Sequence, residues 1–484
     1  MHLNVCFCNY LMTHSLTRKE IMSLKLLSVF SLVVFWGITS FGGVPYVPVK
    51  IIGALDWEER GGNAEVVAGP WKKCGDVIVP DQPFEYENTY TIDPEFIKLP
   101  CEEGAPWFYS VTTTAGEGKY NLILMDGKGK HPLSRNGEGD FTMEGLSEDL
   151  DPVQPQVFKL GESHYRMYFW ALGHGPKIRM QVAESSDLYH WKLANNGRPV
   201  LCHLGDSTWG DGLSPARVCN DATTIYRYPD GSWEIFSAAI VPVKDPQSRY
   251  SDRSVSPGVV RIIMRWTSPD GLDFSEPEVV LTPDEQDSAA TQCYYLSQVD
   301  LEPYTVGFFG NYNTQDLRWR MEAVMSRDHR HWTRPIRSQG LFEEDYKGAV
   351  AITDFCLEED GSVSLYYGAV NFNHDYKTDN GEPPMAKICK AQVPRRKFFG
   401  RQLEPGVTLV SPIIRYTGKN PKIYVSEDAE LTCEWQELFA TTTQSVKVQL
   451  NGDITEIRLS EIIRPTATGR LHITGNGVVY DAEY

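Results

Sequence analysis

The sequence predicts an all-β protein of five repeated sheets followed by a smaller β-sandwich, and three observations predict it. Aromatic-rich strand patterns begin at residues 107, 165, 233, 305 and 363, so one repeat spans 58 to 72 residues. That length holds a four-stranded sheet with its loops. A turn of the form Ser-x-Asp-x-x-x-aromatic recurs after the third strand, as Ser185-Ser186-Asp187-Leu188-Tyr189-His190-Trp191, Ser268-Pro269-Asp270-Gly271-Leu272-Asp273-Phe274 and Ser326-Arg327-Asp328-His329-Arg330-His331-Trp332. Apolar residues at helical spacing, with caps, are hard to find between 76 and 400.

In chain order, the first element is a leader. From Met22 the chain reads Ser23-Leu24-Lys25, an apolar run over 26–38, then the small residues Thr39, Ser40, Gly42 and Gly43. This is the pattern of a cleavable signal peptide, and residues 1–21 before Met22 read as a misplaced start. The run falls short of the roughly 20 residues that cross a bilayer, which disfavours a permanent membrane helix. No cysteine follows it to carry a lipid, so the expected location is outside the cytoplasm, periplasmic or secreted, with no stable membrane insertion. Residues 44–75 are expected to form an N-terminal extension, 76–400 the repeats and 401–484 the sandwich.

Within the repeats, the Ser and Asp oxygens of the turn are expected to accept backbone N–H groups, and the aromatic to tuck beneath. That role is structural. Blade one has only Met125-Asp126-Gly127 at this place, without the Ser or the aromatic. Beyond Pro394-Arg395-Arg396 and Glu404-Pro405-Gly406 come short β-like runs at 407–414, 422–425, 446–450, 454–459, 471–473 and 478–480, separated by Gly, Asn and Asp turns.

Composition narrows the function. The 484 residues carry 46 Lys plus Arg against 64 Asp plus Glu, a formal charge of −18. Such a field repels phosphate backbones and anionic lipid, so nucleic acid is excluded as a partner. Cys74, Cys101, Cys202, Cys219, Cys293, Cys356, Cys389 and Cys433 remain after the leader, with no Cys-x-x-Cys spacing for zinc. They are buried thiols on strands, or one or two bridges formed in an oxidising compartment.

These features together resemble the five-bladed β-propeller glycoside hydrolases of the family 32 and 43 type, especially their divergent exported bacterial relatives. The likeness covers about residues 76–484. Pro80-Asp81-Gln82-Pro83-Phe84-Glu85 resembles the Pro-Trp-Glu segment ahead of their first blade, Asn220-Asp221-Ala222 opens the third blade in similar style, and Tyr366-Tyr367-Gly368 with His374 resembles their fifth. The closing Tyr480-Asp481-Ala482-Glu483-Tyr484 is similar to their last sandwich strand. The Trp-Met-Asn-Asp-Pro-Asn and Arg-Asp-Pro motifs of family 32 are absent. The resemblance implies a five-bladed β-propeller with a C-terminal β-sandwich, and an oligo- or polysaccharide as the substrate.

Glycosidic cleavage needs an acid for the leaving oxygen and a carboxylate to activate water or attack carbon. In a propeller, residues at the starts of the innermost strands meet the ligand. Counting back from each second strand gives Glu85 and Asp93 in blade one, Asp151 in blade two, Asp211 and Asp221 in blade three, Gln292 in blade four and Asp354 in blade five. Asp221 and Asp151 are the principal catalytic candidates and Glu85 the third. Each has a plainer reading: Asp221 as a strand-start cap, Asp151 and Asp93 as turn residues before proline. Asp211, Trp209, Arg217, His374, Gln292 and Asp354 are candidates for substrate binding, with Trp71 and Trp209 as sugar-stacking platforms. No cofactor is required. The family 43 likeness implies that His374 meets substrate or a structural calcium ion on the axis. The competing function is a non-catalytic glycan-binding propeller.

Overall fold

The computed structural model describes residues 51–87, 90–93, 104–113, 120–173, 178–203, 218–219, 222–242, 258–337, 340–342, 349–438, 443–447, 454–461 and 463–484. The expected leader lies outside them, as do Asp211, Trp209, Arg217 and Asp221.

Five sheets follow one another along the chain, each built on an antiparallel meander of three or four strands, and they form a five-bladed β-propeller. Blade one is Tyr90–Asp93, Trp107–Thr113, Tyr120–Asp126 and Gly129–Pro132. Blade two is Leu150–Gly161, His164–Gly173, Ile178–Ser185 and His190–Leu193, with Thr142–Glu144 added in parallel outside. Blade three is Thr223–Arg227, Trp233–Pro242, Val259–Ser268 and Glu278–Leu281. Blade four is Thr291–Asp300, Thr305–Asn313, Arg318–Ser326 and Trp332–Thr333. Blade five takes three strands from its own repeat, Ala349–Leu357, Ser362–Val370 and Ala386–Pro394, and its outer strand, Lys72–Ile78, from the N-terminal side. The ring is thereby fastened by pairing the start of the repeats to their end.

The aromatic second strands build the interblade layers. Phe108, Tyr109, Tyr168, Phe169, Trp170, Phe236, Phe308, Phe309 and Tyr367 are all buried. The turn after the third strand forms as its sequence requires. Ser185 Oγ accepts the Asp187 and Leu188 N–H groups, Asp187 Oδ1 accepts those of Tyr189 and His190, and Trp191 donates its indole N–H to Leu188 O at 2.7 Å. The same pattern recurs at Ser268 and Asp270 and at Ser326 and Asp328. In blade one Asp126 alone does this, accepting Lys128 and Gly129 N–H.

The sandwich is organised by one 16-residue strand, Thr468–Glu483. Its first half pairs with Glu430–Glu437 and Thr408–Val410, its second with Phe399–Leu403, Lys422–Val425 and Ile51–Ile52. The strand passes between layers at Gly475, where φ is +140° and a Cβ would stand 2.0 Å from Glu430 O, so only glycine fits. The segment ahead of the repeats is shared out between the two parts: Ile51–Ile52, Glu58–Arg60 and Glu65–Ala68 pair with sandwich strands, and Lys72–Ile78 with blade five. Trp71 packs against Phe398 and Phe308 at ring distances of 5.2 and 6.0 Å, so it is part of the junction rather than the exposed stacking platform expected of it.

Candidate functional site

In each blade the first strand starts, the second ends and the third starts at the same end of the ring, because neighbours are antiparallel. The pairs Asp151 with Leu172, Thr223 with Ser237, Gln292 with Tyr312 and Ala349 with Ala369 mark this end. This end of the ring is termed the mouth.

On blade two, Asp151 is 9% exposed, and its Oδ1 receives Arg135 Nη2 at 3.1 Å. Arg135 also donates to Leu150 O at 2.7 Å, so one guanidinium holds both the strand start and the carboxylate. Burial draws Arg135 below its ordinary range, while Asp151 and Glu148 oppose it. Below Asp151 the strand bulges, with Gln154 at φ +57°. Its N–H reaches Ser110 Oγ at 3.2 Å, and that hydroxyl donates to Asp93 Oδ2 at 3.2 Å. Asp93 and Asp151 thus stand on adjacent inner strands, linked through Ser110 and the bulge. Asp354, 8% exposed, lies on the inner strand of blade five. Burial first, then the Asp354 charge, pushes the Tyr226 phenol of blade three up.

On blades four and five, His374 follows the second strand and its N–H donates to Leu317 O. Its ring lies among Tyr312, Trp319 and Tyr294 at 5.1, 5.1 and 6.0 Å, with Nε2 3.3 Å from the Tyr294 hydroxyl. Gln292 Oε1 accepts the Arg261 N–H at 2.6 Å. The guanidinium of Arg261 sits over Tyr294 at 4.7 Å and Tyr312 at 5.5 Å. Among the described residues, Asp151 stands at this end on blade two, and Arg261, Gln292, Tyr294, Tyr312, Trp319 and His374 form a cluster on blades three to five.

No family profile and no curated protein matches the chain. Among solved structures, a glycoside hydrolase is 15% identical over 67% of this chain and 92% of its own, with a TM-score of 0.43. A GH32 beta-fructofuranosidase from Bombyx mori is 11% identical over 85% and 93%, with a TM-score of 0.42. A thermostable family-43 glycoside hydrolase is 12% identical over 66% and 92%, with a TM-score of 0.41.

Of the residues singled out from sequence, Asp151, Gln292 and His374 stand at the mouth, and Asp93 and Asp354 stand on inner strands deeper in. Gln292 and His374 join one cluster through Tyr294 and Arg261. Glu85 is placed differently. It has no exposed surface; its oxygens accept the Tyr109 hydroxyl at 2.6 Å, Lys130 Nζ at 2.8 Å and the backbone N–H groups of Asp81 and Gln82 at 2.9 Å. Both oxygens are engaged by protein, and Glu85 ties the segment before blade one to the outer strand of that blade. Asp221, Asp211, Trp209 and Arg217 lie outside the described residues. Among the described residues no group of three or more His, Cys, Asp or Glu side chains is placed to hold a metal ion.

Sequence reasoning missed Arg261, Tyr294, Tyr312, Trp319 and Arg135. Arg261 had a signal, a lone charge inside the apolar run Val259-Val260-Arg261-Ile262-Ile263. Arg135 had none, since its role depends on where a loop returns.

Proposed function

We propose that this protein is an exported glycoside hydrolase that cleaves a glycosidic bond with paired carboxylates at the propeller mouth. The observation that carries this reading is Asp151: a nine-tenths buried carboxylate at the start of an inner strand, held by Arg135, on the same end of the ring as an aromatic wall. Water-poor surroundings strengthen a carboxylate's interaction with the positive charge that builds on a sugar ring as the bond breaks. A carboxylate bridged to a guanidinium suits the anionic role, as base or nucleophile. The proton donor is then assigned to Asp221, which precedes Ala222 and the inner strand of blade three in the sequence. Glu85 is left out, because its oxygens are already bound. A separation of about 5–5.5 Å between the pair would give retention, and about 6.5–9.5 Å inversion. Export is supported by the leader-like pattern over 22–43.

The test is a screen of the purified protein against aryl glycosides and polysaccharides, repeated with Asp151→Asn and Asp221→Asn. Each substitution is expected to lower turnover about 10²–10⁴-fold with little change in folding. Cleavage untouched by both would remove the assignment. Gln292 at the mouth of blade four, where a further carboxylate would serve catalysis, favours the second reading of a glycan-binding propeller. Retention on a polysaccharide with no sugar released would establish it.

A further inference from the structure

Where blade five meets the sandwich the chain encloses a cavity of 380 Å³ that opens to solvent. It lies at the end of the blade remote from the mouth. Asp360, Ser362 and Pro394 line one wall, and Ser362 pairs with Pro394, whereas Ala349 and Ala369 pair at the mouth. The second strand of that blade, Ser362–Val370, has nine residues, so the two ends stand about 26 Å apart along it. The facing wall belongs to the sandwich, where Ser426 and Glu427 follow the strand Lys422–Val425 and Tyr480 lies on Thr468–Glu483. Lys397 and Tyr480, each 5% exposed, line the inner part, with the ammonium 5.5 Å from the ring centre and donating to Val425 O at 2.9 Å. Pro70 and Lys72 complete the rim, on a segment tied down by the Gly69 N–H, which donates to Phe398 O at 2.9 Å.

Sites for small ligands usually measure about 300–1,000 Å³ and stand preformed, and this one has walls of strand, tight turn and proline. Its charges cancel, Lys72 and Lys397 against Asp360 and Glu427. A polyanion would meet the two carboxylates and a polycation the two ammonium groups, so the ligand that meets no repulsion is a neutral one. Lys72, Asp360 and Glu427 are exposed, which makes their donors and acceptors reachable from solvent, and the exposed Pro70 and Pro394 set apolar surface beside them. Sugar hydroxyls both give and take hydrogen bonds, and the C–H face of a sugar ring is buried favourably against apolar surface. We propose that this junction cavity is a second glycan-binding site, which holds a neutral stretch of a polysaccharide while another part of the same polymer lies at the mouth. This rests on the glycosidase reading and names its substrate class: a polymer long enough to run from one end of the ring to the other.

The full chain is run in affinity gels containing xylan, arabinan, galactan, inulin or glucomannan, with polygalacturonate as the charged control, and its cleavage of each polymer and of aryl glycosides is followed. The double variant Lys72→Ala with Glu427→Ala removes one donor and one acceptor at exposed positions, so its circular dichroism spectrum should match that of the native chain. At least one neutral polymer is expected to be bound, and the double variant to bind it about five- to hundredfold more weakly, the range of two net hydrogen bonds. KM for that polymer should rise by a similar factor, with kcat and the aryl glycoside kinetics unchanged. Asp151→Asn should lose cleavage and keep the binding. Equal binding by the double variant and the native chain overturns the proposal, as does tighter retention on polygalacturonate than on every neutral polymer. Cleavage of aryl glycosides with no polymer bound also overturns it while leaving the glycosidase reading standing. Binding that the double variant loses, with no sugar released by the native chain from any substrate, supports the cavity as a glycan site and removes the glycosidase reading. Absence of any glycan binding or cleavage removes both.

Discussion

Glu85 and Lys130 form a largely buried pair: Glu85 is fully buried and the Lys130 side chain 8% exposed, with Nζ also 2.8 Å from the exposed Asp81. Lys130 also donates to Val79 O at 2.8 Å, so the lysine locks the chain ahead of blade one. Removing one partner of such a pair leaves a stranded charge, whereas replacing both with apolar groups of similar shape can be neutral. Lys130→Met is therefore expected to cost about 3–5 kcal/mol in denaturant unfolding. Glu85→Gln should lower the unfolding midpoint and leave turnover per folded molecule unchanged. A loss of turnover at unchanged stability would instead return Glu85 to the catalytic set. The sequence shows a Glu after Pro-Phe; it cannot show that a lysine 45 positions later closes on it. Arg135 and Asp151 make the same point at the mouth.

At the level of elements, the recurrent turn was the most legible feature, because its interactions are all local. Ser and Asp meet N–H groups two or three residues ahead, and no distant partner is needed. Burial raises the Asp187 carboxyl, but the His190 N–H and side chain and the Tyr189 N–H overcome it and hold it at about 2. Asp187→Ala removes the acceptor for two backbone N–H groups and is expected to cost about 1–2 kcal/mol, read as a shift in urea midpoint without loss of β-sheet signal. Blade one obeys the same physics in reduced form: Asp126 keeps the turn, and the Tyr189 hydroxyl of the neighbouring blade binds its second oxygen at 2.8 Å. That substitution of a tertiary contact for a local one is why the first turn was hard to read.

Across the whole molecule, blades are joined by charge as well as by aromatic packing. His329, from the blade-four turn, reaches Glu234 of blade three at 2.8 Å and Asp300 of its own blade at 3.3 Å, and stacks on Tyr228. Burial favours the neutral ring, but Asp300 and Glu234 overcome it and push His329 up to about 9. A folded-state pKa above the unfolded value means the contribution is complete below about 6.5 and is lost as pH rises through about 9. Stability is expected to fall by up to about 3 kcal/mol across that window, and His329→Gln to flatten the slope. An unchanged slope in the variant would remove His329 as the cause. From the sequence His329 has only a place in a turn, since its acidic partners lie 29 and 95 residues away, one of them on the neighbouring blade.

The order of strands, the five repeats, the turns and the sandwich were written in the sequence, because alternation, aromatic content and turn chemistry act over a few neighbouring residues. Which outer strand completes blade five, which cation each buried carboxylate meets, and where Arg261 meets Gln292 and Tyr294, were decided by ring closure. Closure brings together residues far apart along the chain, and a contact between them leaves no periodic trace on either side.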